Sequence, residues 1–490
     1  MRIYGLYVLP ALLLLACSND HPTETTSRRL LIKGDIVTMD IPGVIEQGTV
    51  VVSLTSGKIE AVLSQSESPV PEAGDLLIET DDYIFPGMID LHNHVKYNAS
   101  RILEFPHKWE SRYQWQKDTA YKKWIGWYGR ALMYKHPYQI NVYAEVKGLT
   151  GGNTFIQGTN TRLTPASYDL FLINAESLPL RKTIYSSVFV YDKQELPDLE
   201  VLGYVDTAIT HKNYHAQIFH LAEGYNAESK REFDYFDSAG LLSDRSVLIH
   251  GVGFSNENFE RMNEVNAHLV WSPTSNLMLY GRTANVAQAK QAGVNISLGS
   301  DWSPSGTKSL LHELKVAYLY NQQALNGLFT NEELVEMVTV NPSMAADLAD
   351  EMGRIKPGLK ANLVIFKKRD ADPYQSLIYA TEQDLSLVLI EGHAVYGEAG
   401  LLKKSLPAVE DKELYHFTDI SKSLYLDQSL LPDSIGNFHD IRTLLETETQ
   451  KPGFQENHVL LDPLFPDSLY FTQMKRTTGF DIEQFWKAEK

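Results

Sequence analysis

The stretch Phe85-Pro-Gly-Met-Ile-Asp-Leu-His-Asn-His94 decides how the rest of the sequence is interpreted. Pro86 and Gly87 mark the entry to a short apolar strand, and residues two apart in a strand point the same way. His92 and His94 can therefore present both imidazoles to one metal ion at the C-terminal end of that strand. An H-x-H pair arises often by chance, so the prediction of a metal site needs further ligands elsewhere in the chain.

Three further polar residues each close an apolar, strand-like run. His220 ends AQIFH, His250 ends VLIH and Asp301 ends NISLGSD. Such runs alternate with helical patterns, as at residues 285–292 and 310–325, and this alternation predicts an α/β fold, a (β/α)₈ TIM barrel. The C-terminal strand ends of a barrel converge on one mouth, so these side chains are expected to meet. One of the eight strands is not evident, because only residues 183–190 are strand-like between the second strand and residue 217.

Composition narrows the kinds of site that the chain can build. Its 490 residues include 44 Lys and Arg, 62 Asp and Glu, and a single cysteine, Cys17. One cysteine excludes a disulfide framework within the chain and a cysteine-rich zinc module, so a metal must be held by His, Asp or Glu. The net charge of −18 argues against a surface made for nucleic acid or for anionic lipid.

The first residues have the layout of an export signal. Arg2 precedes an apolar run at residues 3–16, which is shorter than the ~20 residues of a transmembrane helix. Leu14-Leu15-Ala16-Cys17 resembles the lipobox of bacterial lipoproteins, in which the cysteine carries lipid. We therefore expect an exported lipoprotein, periplasmic or at the cell surface, that contacts the membrane only through a lipid on Cys17. The alternative is a plain signal peptide in which Cys17 is incidental.

Residue composition and the pattern of predicted strands divide the chain into five parts. Residues 1–16 form the signal peptide and residues 17–28 a polar tether. Residues 29–84 and 355–400 are rich in short strands broken by Gly and Asp, which predicts one small discontinuous β-sandwich domain formed by both flanks. Residues 85–354 form the barrel, and residues 401–490 form a C-terminal extension whose role the sequence does not indicate.

These motifs together resemble the amidohydrolase superfamily of metal-dependent hydrolases over residues 30–397. PGMIDLHNH is similar to its first-strand motif, and FHLAEG, LIHGVG and SLGSDW are similar to its fifth, sixth and eighth strands. The segment WSPTSN, residues 271–276, resembles the seventh-strand motif of the deaminase and chlorohydrolase branch. Two features depart from the pattern: Asn362 replaces the usual Asp outside the site, and WSPSG follows Asp301 at residues 302–306.

The resemblance implies a role for each site residue. The metal ligands would be His92, His94, His220 and Asp301, which hold one divalent ion, zinc first, with iron or manganese also suited to this set. Asp301 would also hold the nucleophile. Glu223 would carry a proton from water to the leaving nitrogen, and His250 would hydrogen-bond the developing oxyanion or shuttle a proton. The two-metal branch needs a lysine on the fourth strand; residues 183–190 contain none, although Lys182 and Lys193 flank them.

The predicted function is hydrolysis of a carbon–nitrogen bond other than a peptide bond in a small-molecule substrate. The reaction is expected to be deamination of a ring amine or opening of a cyclic amide, in either case by a metal-bound hydroxide. A peptidase-like enzyme for a small linear amide and a non-catalytic, ligand-binding lipoprotein are the alternatives; the complete ligand set and Glu223 speak against the latter. The sequence indicates neither the substrate nor the oligomeric state.

An insertion at residues 97–149 adds a further expectation. It holds Trp109, Trp115, Trp124 and Trp127, four of the seven tryptophans. These rings could roof the pocket and stack on a flat substrate, or they could bury the insertion against the barrel. Arg101 or Arg112 could meet an anionic group, although no spacing supports this idea.

Overall fold

The structure, a computed structural model, describes residues 28–105, 107–158, 171–177, 184–188, 215–427, 435–456 and 460–487. The predicted signal peptide with Cys17, almost all of the tether, Lys182 and Lys193 lie outside these ranges. Among the described helices, none combines the length and the apolar character needed to cross a membrane.

The described strands follow one another along the chain as β1 (Arg29–Val37), β2 (Val44–Ser53), β3 (Lys58–Leu63), β4 (Leu76–Pro86), β5 (Met88–Asp90), β6 (Asn153–Ile156), β7 (Ile173–Asn174), β8 (Ile184–Val188), β9 (Ala216–Leu221), β10 (Ser246–His250), β11 (His268–Trp271), β12 (Asn295–Leu298), β13 (Leu363–Phe366), β14 (Leu385–Ile390), β15 (His393–Gly397), β16 (Leu414–His416) and β17 (Ser423–Tyr425).

The described α-helices are Arg112–Trp115, Thr119–Tyr121, Arg130–Lys135, Pro137–Leu149, Ala227–Ser238, Asn256–Glu264, Pro273–Tyr280, Val286–Ala292, Leu310–Ala324, Asn331–Glu336, Val340–Ala345, Pro373–Tyr379, Ala399–Ser405, Phe438–Thr449, Pro452–Gln455, Ser468–Thr478 and Gln484–Lys487. A π-helix spans Lys122–Gly129, and short 3₁₀ turns lie at Gln65–Glu67, Val95–Tyr97, Ala175–Ser177 and Asp411–Glu413.

The two flanks of the predicted barrel form one sheet of nine strands, in the order β16-β17-β15-β14-β13-β4-β1-β2-β3. The flanks join where β4 pairs with β13 in antiparallel register, with Phe85 opposite Val364. Alternate residues of β13 serve different cores: Leu363 faces the core of the small domain, and Val364 faces the core shared with the parallel strands. The expected β-sandwich is therefore a single hydrogen-bonded sheet, and the C-terminal extension adds its last two strands, β16 and β17.

Eight parallel strands lie in two sheets, β5-β6-β7 and β8-β9-β10-β11-β12. The first and last of them meet beyond their C-terminal ends, where the Asp301 amide donates to the His92 carbonyl at 2.8 Å and the His94 amide donates to the Asp301 carbonyl at 3.0 Å. This order agrees with the predicted (β/α)₈ arrangement; the junction between β7 and β8 falls among residues outside the described ranges. The strand missing from the sequence pattern is β7, which has two residues and so shows no periodicity.

The C-terminal extension packs against the parallel strands and their helices. Tyr470, Met474 and Phe485 share an apolar core with Met278 and Val316 of the preceding region. The extension also inserts a buried carboxylate: Asp462 Oδ2 lies 2.7 Å from Lys147 Nζ and 2.5 Å from Lys308 Nζ. It is thus part of the folded body that carries the site.

Candidate active site

Three imidazoles and a carboxylate converge at the C-terminal ends of the parallel strands. His92 Nε2 lies 3.1 Å from His220 Nε2, which lies 3.2 Å from His94 Nε2. Asp301 Oδ1 is 3.3 Å from both His92 Nε2 and His94 Nε2. His92 and His94 follow β5 rather than lying within it, since that strand ends at Asp90. The structure brings together all four residues that the resemblance implied as ligands.

The spacing of these four atoms suits a divalent metal ion. Imidazole nitrogens and carboxylate oxygens bind zinc at about 2.0–2.2 Å, and tetrahedral ligands at that distance lie about 3.3–3.5 Å apart. Four of the six separations among these atoms, at 3.1–3.3 Å, are close to this value, and His92, His94 and Asp301 all lie within 4.8 Å of one another. Three imidazole nitrogens and one carboxylate oxygen are donors that zinc accepts. The donor set therefore fits a divalent metal.

The electrostatics of the cluster favour the same occupant. Burial, followed by the neighbouring imidazoles, lowers the pKa of both His92 and His94 well below the usual value, so both rings are neutral and able to ligate. Burial, followed by the nearby Glu223 carboxylate, raises the pKa of Asp301 well above its usual value, and a hydrogen bond from Ser275 compensates the carboxylate charge only in part. A bound cation would supply that compensation. Ser272 Oγ, 2.7 Å from His92 Nδ1, fixes the orientation of that ring.

Two site residues have strained backbones. His250 has φ of 73° and Asp301 has φ of 61°, a left-handed conformation that residues other than glycine rarely adopt. Strain of this kind costs about 1–3 kcal/mol and persists where the surroundings hold it, typically at functional sites. Asp90 supports the strained turn: it accepts hydrogen bonds from the Ser300 side chain and from Asn93. Asp90 is not among the site residues predicted from the sequence, although it lies within the first-strand motif.

Glu223 lies beside the ligand cluster, and its carboxylate contacts Tyr280, His250 and Arg112. The Tyr280 hydroxyl donates to Glu223 Oε1 at 2.7 Å and accepts from Trp115 Nε1 at 2.7 Å. His250 Nε2 is 3.6 Å from Glu223 Oε2. The carboxylate is thus oriented on one oxygen and faces the site with the other, which is the arrangement that transfer of a proton at the site requires.

Comparison with known proteins identifies the family of the central segment. Residues 204–395 match the Amidohydrolase family. This segment is similar to that family. It contains His220, Glu223, His250 and Asp301, four of the six residues at the site. The prediction of a hydrolase that acts on carbon–nitrogen bonds other than peptide bonds is confirmed by this match and by the relatives below.

Named relatives extend the likeness beyond that segment. The chain is 24% identical over 394 residues to 5-methylthioadenosine/S-adenosylhomocysteine deaminase of Pyrococcus furiosus, across 72% of this chain and 93% of that protein. It resembles a zinc-bound adenosine deaminase of Xanthomonas campestris, with a TM-score of 0.55 and 18% identity over 74% of this chain and 92% of that one. Atrazine chlorohydrolase of Arthrobacter aurescens, also with zinc, has a TM-score of 0.58 and 18% identity over 75% of this chain and 95% of that one. At such identities the two structures show a shared fold.

His250 lies among the ligand atoms as well as beside Glu223. Its nitrogen belongs to a group with those of His92 and His220 in which all the atoms are within 4.8 Å. Its Nδ1 is 2.9 Å from Asn276 Oδ1, so the ring is oriented by the last residue of the WSPTSN segment. Burial lowers the pKa of His250 to about 3, which keeps the ring neutral. The predicted role beside the oxyanion fits this placement and stays a prediction.

A pocket with about 500 Å³ of empty space opens onto these groups. Its lining consists of His94, Tyr97, Trp115, Gln116, Tyr121, His220, Glu223, His250, Asp301 and Trp302. The tryptophans of the insertion were expected either to line the pocket or to bury the insertion, and the structure shows both. Trp115 lines the pocket, and Trp109 is buried in a cluster with Leu279 and Leu103. The aromatic walls suit a flat, small-molecule substrate.

The two arginines considered for an anionic group are otherwise engaged. Arg112 is buried; its guanidinium donates to the His220 carbonyl at 3.3 Å and lies 3.3 Å from Glu232 Oε1. Arg101 pairs with Asp467 of the C-terminal extension. Arg112 Nη1 also lies 3.9 Å from Glu223 Oε2, so Arg112 contacts both the strand end that carries His220 and the proposed acid–base group, and neither arginine is in the pocket lining.

Proposed function

We propose that this amidohydrolase removes the amino group of a nitrogen heterocycle by hydrolysis and releases ammonia. One observation carries the proposal: Glu223 is oriented by Tyr280 at 2.7 Å and faces a metal-type ligand set at the floor of an aromatic pocket. Relatives named as deaminases support this reaction over opening of a cyclic amide. In this proposal β5 to β12 close into one barrel, and the site lies at its mouth.

Each residue of the site has a task in this reaction. His92, His94, His220 and Asp301 would hold one divalent ion, for which we propose zinc because two neighbours of the same fold are zinc-bound. Such an ion lowers the pKa of bound water from 15.7 to about 7 and so supplies a nucleophile at neutral pH. Glu223 takes a proton from the water and delivers it to the leaving nitrogen. His250 hydrogen-bonds the oxygen that gains charge at the ring carbon.

The chemistry balances without another reactant. Water forms the new carbon–oxygen bond, the carbon–nitrogen bond breaks, and the ring leaves as an oxo compound beside ammonia. General acid–base transfer by a positioned carboxylate contributes about 10²–10⁴-fold to such reactions. The aromatic walls, with Trp302 and Tyr97 in edge-to-face contact at 5.3 Å between ring centroids, hold a flat ring against the reacting groups.

The test is a screen for ammonia release from aminopurines, their nucleosides, amino-triazines and cyclic ureides, run beside a dipeptide panel. We expect ammonia from a ring amine, about one transition metal per chain by elemental analysis, and in Glu223→Gln a rate at least 100-fold lower with the metal retained. Ring opening without ammonia, dipeptide cleavage alone, or full activity in Glu223→Gln would contradict the proposal.

We also propose that the enzyme is exported and held at a membrane by lipid on Cys17. The support is the lipobox-like sequence at residues 14–17 and its position at the only cysteine in the chain. In cells supplied with labelled fatty acid, the protein should take up label and partition with membranes, and Cys17→Ser should abolish both. Membrane association that persists unlabelled in Cys17→Ser would contradict this assignment.

A further inference from the structure

One charged residue of the insertion lies against the proposed acid–base group. Arg112 is 1% exposed, and its Nη1 atom lies 3.9 Å from Glu223 Oε2. The same nitrogen donates to the His220 carbonyl at 3.3 Å, and the backbone amide of Arg112 donates to the Glu223 carbonyl at 3.0 Å. Arg112 thus contacts the side chain and the backbone of Glu223, as well as the strand end that carries a proposed metal ligand.

A second carboxylate holds Arg112 in this position. Glu232 is fully buried on the helix that follows the turn. Its Oε1 atom lies 3.3 Å from Arg112 Nη2 and also accepts a hydrogen bond from the Tyr113 hydroxyl. Its Oε2 atom accepts a hydrogen bond from the Ala222 amide at 2.6 Å, and Ala222 has φ of 51°. Glu232 therefore fixes both the guanidinium and the left-handed backbone that precedes Glu223.

Arg112 supplies a charge that the proposed site needs. A buried carboxylate is costly unless a cation lies beside it. In the proposed site the metal ion compensates Asp301, whereas Glu223 is not among the ligands and receives a neutral hydrogen bond from Tyr280. His250 is 3.6 Å away and neutral, because burial lowers its pKa to about 3. Among the described residues, the cation paired with the Glu223 carboxylate is therefore Arg112.

We propose that Arg112 is a positioning residue for catalysis, which holds the Glu223 carboxylate in the orientation that faces the ligand cluster. Tyr280 fixes Oε1 from one side and Arg112 attracts Oε2 from the other, so the carboxylate cannot turn away from the reacting groups. Arg112 is not in the pocket lining, so it acts on the reaction through Glu223. This inference rests on the proposed function for the role of Glu223, and it gives the insertion a part in catalysis beyond covering the pocket.

The test is a double-substitution cycle on ammonia release from the substrate found in the screen. Arg112→Gln should lower kcat about 10- to 100-fold, the effect of a lost contact to a charged group, and should change KM by less than about threefold. In the Glu223→Gln background the same substitution should cost less than about threefold, because a residue that acts through Glu223 has nothing further to lose there. An equal loss in both backgrounds would overturn the proposal.

Two further variants distinguish misplacement of the carboxylate from misfolding. Arg112→Gln/Glu232→Gln removes both charges of the buried pair, so no carboxylate of that pair is left without its cation. It should retain folding and metal content and still lose kcat; recovery of the wild-type kcat would overturn the proposal. Arg101→Gln is the matched control, because Arg101 is an insertion arginine that pairs with Asp467 away from the pocket lining, and its kcat should be unchanged.

A crystal structure separates this inference from the proposed reaction. In the double variant we expect the Glu223 side chain to leave the position in which Oε2 lies 3.6 Å from His250 Nε2, whereas in Arg101→Gln it should stay. Loss of activity in Glu223→Gln with full activity in Arg112→Gln would overturn this inference alone. Full activity in Glu223→Gln would overturn the proposed reaction, and an unmoved Glu223 carboxylate in the double variant would then overturn the positioning role as well.

Discussion

Tyr280 is the residue through which the insertion reaches the proposed acid–base group. Its hydroxyl accepts a hydrogen bond from Trp115, an insertion residue, and donates one to Glu223, each at 2.7 Å. All three side chains are buried, so water cannot replace the hydroxyl without entering the aromatic pocket. The donor therefore fixes which oxygen of the carboxylate is free to move a proton.

We predict that Tyr280→Phe lowers kcat by about 10- to 100-fold, the equivalent of a lost hydrogen bond to a charged group at about 1.5–3 kcal/mol. The ring stays, so the fold and the metal content should be retained. Steady-state kinetics with the substrate found in the ammonia screen, beside elemental analysis, checks this. Tyr143→Phe is the matched control, because that buried hydroxyl also donates at 2.7 Å, but to the Asp462 carbonyl; a similar kcat loss in the control would contradict the prediction.

At the scale of elements, the turn after β9 is clamped by the insertion. Residues 110–112 run antiparallel to residues 223–225: the Arg112 amide donates to the Glu223 carbonyl at 3.0 Å, and the Tyr225 amide donates to the Glu110 carbonyl at 2.7 Å. Gly224 lies between these bonds with φ of 147°. A Cβ there would lie 2.5 Å from the Glu110 carbonyl oxygen, so the close approach requires glycine.

We predict that Gly224→Ala separates the two segments and displaces Glu223, with at least a tenfold loss of kcat and destabilisation by about 1–3 kcal/mol. Gly240→Ala is the control for backbone strain alone: φ is 72° there, and nothing lies within 4 Å of the added Cβ. The control should lose about 1–2 kcal/mol and keep its kcat. Urea unfolding and steady-state kinetics of both variants check the difference, and equal kcat values would refute the clamp.

The sequence predicted the elements that carry local signals and missed those that depend on distant contacts. His220, His250 and Asp301 were found because each follows an apolar run, and strand ends share an edge. The two-residue β7 has too few residues for a pattern. The bond from Tyr280 to Glu223 joins residues 57 positions apart, and no spacing rule connects them. The nine-stranded sheet was not predicted for the same reason, because β16 and β17 join it only through pairing with strands that are distant in the sequence.

For the whole molecule, Asp462 ties the C-terminal extension to the parallel-strand region. Its carboxylate lies between Lys147 and Lys308, and all three side chains are at most 2% exposed. Burial lowers the pKa of Lys147 to about 8, while the two ammonium groups lower the pKa of Asp462. Lys147 also donates to Ser303, the neighbour of the pocket residue Trp302. The extension thereby supports a segment that lines the site.

We predict that Asp462→Asn destabilises the protein by about 3–5 kcal/mol, because it leaves two buried lysines without a carboxylate. Asp467→Asn is the matched control in the same extension: its pair with Arg101 is partly exposed, so the loss should stay below about 1 kcal/mol. Urea unfolding followed by fluorescence measures both. A loss in Asp462→Asn no larger than in the control would show that the buried pair does not hold the extension.

The ligand cluster should couple metal binding to the stability of the entire chain. His92, His220 and Asp301 are buried, and a cation would compensate the Asp301 carboxylate, so binding to the folded state alone adds stability. At a thousandfold excess of metal over its Kd this added stability amounts to about 4 kcal/mol.

We predict that removal of the metal by a chelator lowers Tm by several degrees and that added zinc restores it. Glu223→Gln, which keeps the ligands, should show the same shift, whereas Asp301→Asn should show little. Thermal unfolding of the three proteins with and without chelator measures this, and a wild-type Tm that is indifferent to the chelator would be incompatible with a metal held by these four side chains.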